Sequence, residues 1–230
     1  MKCEIQKYKL NYSFLKHLIL QIIKKKTPIR LFHNYFLNEI SIEGNILDLG
    51  AGNHSSYLNF IKKKNYEIFF ADKFHIKKKN FYKVDLENQL EVDQNNFDNI
   101  LLFNVLEHIK NYKNLIKEVK KLLKPEGKLE LFVPFMHRYH EDPIDVFRPT
   151  HAYLEKILID EGYEVKTTLI GVGPFTVVSE ILLKYFKFSI LQIPILIIFL
   201  MFDKILNFVS KDYNNYYLGI HCSCRKRVDK

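Results

Sequence analysis

Three carboxylates and a pair of glycines in this chain are spaced to hold a nucleoside. The stretch Asn45-Ile46-Leu47-Asp48-Leu49-Gly50-Ala51-Gly52 ends a short apolar run in an acid and two glycines one residue apart. Such a turn lets the backbone pass close to a ligand where a Cβ would clash. Asp72 lies about twenty residues further on, where an acid can hold a ribose diol through two hydrogen bonds. Asp85-Leu86 comes next, and there a polar side chain and a backbone amide can read an adenine edge. The candidate cofactor-binding set is Asp48, Gly50, Ala51, Gly52, Asp72, Asp85 and Leu86, joined by Asn104 after a later strand. A dinucleotide competes for this turn, since it too has a ribose. The turn reads Gly50-x-Gly52-x-x-Ser55, however, and lacks the third glycine of the dinucleotide fingerprint.

A second group has the chemistry of proton transfer and anion binding. His137, Arg138, Tyr139, His140, Glu141 and Asp142 crowd one stretch, followed by Asp145, Phe147 and Arg148. Imidazole titrates near neutral pH, so His140, His108 and His137 are candidate bases, with His140 first and His108 second as catalytic residues. Arg148 can pair with a carboxylate or phosphate on an acceptor, or form a salt bridge to Asp142 or Asp145. The substrate-binding set is His137, Tyr139, Glu141, Asp145 and Arg148. Each histidine taken singly also fits a packing or hydrogen-bonding role. A metal at His137, His140 and Glu141 is not expected.

These residues need a frame that carries strand ends to one place. Helices are predicted over 11–25 and over 28–40, with Thr27 as cap and Pro28 as first helical residue. Strands are predicted at 46–49, 67–71 ending at Asp72, 81–84 ending at Asp85, 97–103, 128–133, 163–169 and 216–224. Helices are predicted over 55–63, capped by His54 or Ser55, over 112–123, and from the Thr150 cap to Asp160. Pro125-Glu126-Gly127 reads as a turn and Gly162 as a helix stop. Such alternation argues for a doubly wound, mostly parallel α/β sheet with helices on both faces. Residues 1–44 read as a helical extension, 45–230 as the main domain, and 171–215 as an insertion before the last strand.

The order of the motifs carries a family resemblance over most of 46–133. Leu47-Asp48-Leu49-Gly50-Ala51-Gly52, Val105-Leu106-Glu107-His108 and Leu123-Lys124-Pro125-Glu126-Gly127-Lys128 stand at spacings that resemble the class I S-adenosylmethionine-dependent methyltransferases. The resemblance implies a Rossmann-like, seven-stranded sheet whose last strand is antiparallel. It implies S-adenosylmethionine as cofactor, with Asp48 and the glycine turn by its methionine part, Asp72 by the ribose and Asp85 by the adenine. A looser likeness of 134–149 to methyltransferases encoded with bacterial surface-polysaccharide genes implies a small or lipid-linked acceptor, with a saccharide hydroxyl as the methylated group. A nucleic-acid methyltransferase, and a membrane-associated protein that binds the cofactor without turnover, are the alternatives.

Composition narrows the setting. The chain has 230 residues, a formal charge of +9 and 47% hydrophobic residues, enough for one α/β domain with additions. The triplets Lys24-Lys25-Lys26, Lys62-Lys63-Lys64 and Lys77-Lys78-Lys79 admit an anionic partner. No dedicated nucleic-acid module accompanies them, so nucleic acid is not expected. Cys3, Cys222 and Cys224 make no disulfide framework and suit a reducing cytosol. Cys222 and Cys224 beside His221 have no second ligand pair and read as core packing. No signal peptide is expected in 14–23, which reads as an amphipathic helix trailed by lysines. The uncharged run 188–202, which holds Pro194, is shorter than the ~20 residues that span a bilayer. The last strand must return to the sheet, so this run is expected to cross zero times or to dip as a hairpin bent near Pro194. A cytoplasmic setting is expected; the apolar run, flanked by Lys184, Lys187, Lys204 and Lys211, reads either as peripheral contact with the inner face of the cytoplasmic membrane or as a helical pair buried over the sheet or in a dimer interface.

Overall fold

The apolar runs of the central strands are buried on both sides. Leu47 and Leu49 belong to one core and Ile46 to the other, and Ile100 and Leu102 alternate in the same way with Leu101 and Phe103. Two-sided burial of this kind is what a parallel sheet covered by helices demands. A computed structural model of the chain describes residues 3–52, 55–74, 79–141 and 143–227. Its strands are β1 (Glu4–Ile5), β2 (Ser41–Leu49), β3 (Lys62–Asp72), β4 (Phe81–Lys83), β5 (Phe97–Phe103), β6 (Leu123–Pro134), β7 (Tyr163–Val172) and β8 (Tyr217–Lys226). They form one sheet in the order β1-β7-β8-β6-β5-β2-β3-β4. All pairings are parallel except those of β8, which runs antiparallel to both β6 and β7.

Helices α3 (Tyr112–Leu122) and α4 (His151–Asp160) cover the face of Leu47 through Leu115, Ile116, Val119, Leu154 and Leu158. Helices α1 (Tyr12–Ile23), α2 (Pro28–Leu37), α5 (Pro174–Leu182) and α6 (Ser189–Val209) lie on the opposite side. There Phe14, Leu18, Phe32, Leu196 and Leu200 are fully buried, each stabilising the layer by about 1.5–3 kcal/mol. The caps follow chemistry visible in the chain. Asn11 and Thr150 accept from Phe14 N and Tyr153 N, whereas Thr27 makes no side-chain cap. A buried polar chain pins α2 to the sheet. His33 Nε2 lies 3.2 Å from His221 Nδ1, His221 Nε2 lies 2.8 Å from Glu130 Oε2, and Ser223 Oγ donates to that oxygen at 2.6 Å. Burial, then the His221 neighbour, pushes His33 well below the ordinary imidazole range, so it serves there as a neutral hydrogen-bonding ring.

The structure departs from the sequence reading in several elements. The helix expected over 55–63 is only a 3-10 turn, Ser56–Asn59. Its C-terminal half joins β3, because Lys62, Lys63 and Lys64 pair in register with Ser41, Ile42 and Glu43 of a longer β2. His54, its alternative cap, lies outside the described residues, as do Lys77, Lys78 and Asp142. The sheet has eight strands where seven were implied. Glu4 and Ile5 of the N-terminal extension add an edge strand beside Thr168 and Leu169, so that extension is not wholly helical. Pro125-Glu126-Gly127 is no free turn. It sits inside β6 as an irregularity, where the pairing jumps from Phe97↔Leu123 to Asn99↔Lys128. The insertion contains α5 and one continuous apolar helix of 21 residues, with Pro194 inside it. The hairpin bent at Pro194 does not form; the pairing is between α5 and α6.

Candidate active site

Four adjacent strands, β5, β2, β3 and β4, deliver their carboxyl ends to one place. The order reverses at β2, with β3 and β4 on one side and β5 and β6 on the other. A reversal of this kind is where doubly wound sheets place a ligand, outside the carboxyl ends of the strands. Asp48 at the end of β2 is fully buried and accepts from the Tyr57 hydroxyl. Burial, then the Asp48 charge, pushes the Tyr57 phenol well above its ordinary range, so it stays a donor.

The glycine turn follows. Gly50 has φ +68°, and a Cβ there would stand 2.5 Å from Val105 Cγ2. Gly52 has φ +53°, and a Cβ there would meet no atom of the described residues within 4 Å. Asp72 Oδ2 accepts from Gly52 N and Oδ1 from Phe74 N, both at 3.0 Å. Each oxygen keeps a second lone pair for a ligand hydroxyl. Asp85 accepts from Glu87 N at 3.2 Å and from Lys73 Nζ at 3.1 Å, and these two bonds, in that order, lower its pKa. Leu86 is buried beside it. Asn104 adopts φ +54°, a conformation asparagine tolerates, and donates its backbone N–H to Phe132 O at 3.0 Å. The predicted cofactor residues thus stand at the ends of four neighbouring strands. Remaining carboxylate lone pairs and a glycine turn suit the diol and polar edges of an adenosyl ligand.

Beside this set lies a second cluster, built by the turn after β5 and the loop after β6. His108 and His140 rings are 4.9 Å apart at their centroids, and His140 and His137 rings 5.2 Å. His137 Nδ1 lies 2.9 Å from Glu180 Oε1, whose other oxygen accepts from Ile29 N at 2.8 Å. Arg148 Nε donates to Asp145 Oδ1 at 3.0 Å, and its Nη2 donates to the other oxygen. His140 Nδ1 lies 3.3 Å from Asp145 Oδ2. Burial, then the neighbouring His108 and His137, lowers the His140 pKa and keeps the ring neutral. Burial pushes the Asp145 carboxyl up, but the Arg148 and His140 N–H bonds prevail and its pKa is lowered.

The structure therefore brings together His108, His137, His140, Asp145 and Arg148 from the sequence-predicted residues. It does not bring in Tyr139 and Glu141. Tyr139 is exposed, and its hydroxyl donates to Glu141 Oε1 at 3.1 Å. Glu107 takes a place beside the cluster that the sequence reading did not assign. Its side chain is fully buried, and neither carboxylate oxygen has a hydrogen-bond partner among the described residues. Burial pushes its carboxyl up to about 8. The only signal for it in the chain was its place in the Val105-Leu106-Glu107-His108 motif. Glu180 and Tyr57, which orient His137 and Asp48, left no local signal.

The chain matches the methyltransferase domain family over residues 17–157. Among solved structures it is similar to a chain of the complex between the Haloferax volcanii Trm112 methyltransferase activator and a methyltransferase. The TM-score is 0.58 at 13% identity, over 95% of this chain and 98% of that one. It is similar to the cyclase SpnF, with a TM-score of 0.56 at 15% identity over 86% and 81% of the two chains. It is also similar to phosphoethanolamine N-methyltransferase 2 of Haemonchus contortus, in complex with phosphomonomethylethanolamine and S-adenosylhomocysteine. There the TM-score is 0.53 at 13% identity, over 96% of this chain and 58% of that one. No curated protein matches.

Proposed function

Because the chain belongs to the methyltransferase domain family, we propose that it moves a methyl group from S-adenosylmethionine to a hydroxyl of a small or lipid-linked saccharide. The observation that carries the transferase reading is the pairing of two clusters at the carboxyl ends of the strands: acids and a glycine turn at the ends of β2, β3 and β4, and a nest of imidazole rings with the Asp145–Arg148 pair after β5 and β6. Bound S-adenosylmethionine supplies a methyl carbon made electrophilic by a sulfonium. Asp72 accepts from the ribose hydroxyls, Asp85 and the Leu86 backbone read the adenine, and the 50–52 turn admits the methionine part.

On the other side of the methyl group, His140 and His108 act on the acceptor hydroxyl. Their imidazoles offer ring-nitrogen lone pairs that favour loss of its proton. Arg148 is held by Asp145 but keeps Nη1 buried without a partner among the described residues; that N–H group donates to an acceptor oxygen. A saccharide suits this side because its hydroxyls match the convergent donors and acceptors. The loose likeness of 134–149 to methyltransferases of surface-glycan gene sets adds support.

The setting we propose is the inner face of the cytoplasmic membrane. Helix α6 buries only Leu196, Leu200 and Asp203 in one seam and leaves Ile190, Ile198, Ile205 and Phe208 exposed. A cavity beside its N-terminal end is lined by Lys25, Lys26, Lys184 and Lys187, which complements anionic headgroups. The function is tested by mass spectrometry of surface glycans and their lipid-linked precursors with and without the protein. Loss of a methylated species in its absence is expected. An unchanged glycan profile, with S-adenosylmethionine uptake intact, would overturn the saccharide acceptor.

A further inference from the structure

Glu107, His108 and His140 meet in a way that hydrogen bonding among themselves does not satisfy. One ligand-type atom from each lies within 4.8 Å of the others. His108 Nδ1 is 2.6 Å from Ile144 O. A carbonyl oxygen only accepts, so Nδ1 carries the proton and the neutral ring presents the Nε2 lone pair. That lone pair lies 3.7 Å from Glu107 Oε1. Ionised, Glu107 sets two acceptors face to face; kept protonated by burial, its O–H still has no hydrogen-bond partner among the described residues. A shared proton does not account for the arrangement, because 3.7 Å is too long for a hydrogen bond. The Glu107 side chain is fully buried, and both of its oxygens lack partners among the described residues. A buried carboxyl left unpaired is costly in either protonation state, and most of all when ionised.

The second shell has the form that metal-binding histidines need. A backbone carbonyl fixes the tautomer of His108. His140 Nδ1 stands 3.3 Å from both Asp145 Oδ2 and Arg148 Nη2; in the tautomer that gives the Nδ1 proton to Asp145, the far nitrogen is free to ligate. We propose that Glu107, His108 and His140 hold a divalent first-row transition cation whose remaining coordination positions take the acceptor hydroxyl. Two imidazoles and one carboxylate favour this class over Mg²⁺ or Ca²⁺, which prefer all-oxygen shells. Three protein ligands leave open positions, as catalytic sites do and closed structural sites do not.

The inference rests on the transferase reading and deepens it. The cation draws electron density from the bound hydroxyl and makes its proton easier to lose. That proton passes to solvent water. The oxygen then forms its bond to the methyl carbon as the carbon–sulfur bond breaks, with the bonding pair going to sulfur. His108 and His140 thus lend their lone pairs to the cation, and the cation acts on the hydroxyl.

The test is a Co²⁺ titration of the full chain, read by visible absorption and calorimetry, beside S-adenosylmethionine calorimetry on the same material. The unsubstituted protein should bind one Co²⁺ with absorption bands of nitrogen and oxygen ligation, and Zn²⁺ should displace it. Glu107→Gln, His108→Gln and His140→Gln should each weaken Co²⁺ at least tenfold and alter the bands, while S-adenosylmethionine affinity stays within about threefold. His140 is only partly buried, so its variant keeps the test alive if Glu107→Gln does not fold. Protein that takes up S-adenosylmethionine yet binds Co²⁺ and Zn²⁺ no better than the three variants do would overturn the cation site alone. Protein that binds the cation and not S-adenosylmethionine would instead overturn the transferase reading.

Discussion

Asp72 meets two demands at once: it ties the glycine turn to the next strand end and keeps lone pairs for a ribose. Its oxygens already accept from Gly52 N and Phe74 N, so the carboxylate is aimed before any ligand arrives. Pre-aimed, charge-assisted hydrogen bonds cost little ordering on binding. Asp72→Ala should therefore weaken S-adenosylmethionine by about 1.5–3 kcal/mol, or roughly ten- to a hundredfold in Kd. Asp72→Asn, which keeps one acceptor oxygen, should lose less. Calorimetry with a melting control checks this, and an unchanged affinity would remove Asp72 from the site. The place of these acids at the strand ends was legible in the chain because each stands at the end of its own apolar run, where position follows from local pattern. Glu107 was not. Its importance lies in burial without a partner, which depends on the loop carrying Ile144, Asp145 and Arg148 folding over it. Arg148 was readable both ways, and the structure shows its fork on Asp145 and an Nη1 with no partner among the described residues. Tyr139 and Glu141 are near His140 in sequence, but both are exposed and bonded to each other outside the imidazole cluster.

Among the elements, α5 and α6 depend on one side chain. Asp203 of α6 is fully buried and accepts from Phe175 N at 2.9 Å, Thr176 N at 2.6 Å and Thr176 Oγ1 at 2.6 Å. It thus caps the N-terminus of α5 from a different helix, where the helix dipole also favours an anion. Asp203→Ala leaves three donors unpaired, a loss of about 2–4 kcal/mol, and should lower Tm by roughly 5–15 °C. A Tm within about 2 °C of the parent protein would show that α6 is not held through this contact. The sequence reading placed most strands and helices because their apolar period is strong. It missed where tertiary pairing overrides local preference. Residues 62–64 look like the end of a lysine-rich helix, yet their backbone is worth more as a ladder beside Ser41, Ile42 and Glu43. Glu4 and Ile5 are too short a run to read as a strand, and only the open edge of β7 makes them one. The apolar run of α6 was cut at Asp203 because a charge usually ends such a run. Here that charge is buried as a cap, and the helix continues to Val209.

At the scale of the whole molecule, the question is what covers the face shared by α1, α5 and α6. By length and apolarity α6 can cross a bilayer, but its place in the fold opposes this. Leu196, Leu200 and Asp203 dock it on its neighbours, and Ser189 Oγ donates to Ile22 O of α1 at 3.3 Å. Tearing these away would expose the Asp203 carboxylate to hydrocarbon. In the peripheral setting proposed above, lying flat would satisfy both halves of the surface: Ile190, Ile205 and Phe208 would enter the headgroup–acyl boundary, and Lys25, Lys26, Lys184 and Lys187 would meet anionic lipid. Attraction of about 1 kcal/mol per lysine predicts cosedimentation with vesicles containing phosphatidylglycerol and little with pure phosphatidylcholine. High salt should weaken binding, because exposed charges are screened within about 10 Å at 0.1 M. Lys184→Gln with Lys187→Gln should cost about 2 kcal/mol, near thirtyfold in partition. Ile205→Asp with Phe208→Asp should abolish the binding without lowering Tm, since both side chains are exposed in the fold. If the protein stays in the supernatant with anionic vesicles and light scattering gives the mass of two chains, a second copy covers this face and the bilayer assignment fails.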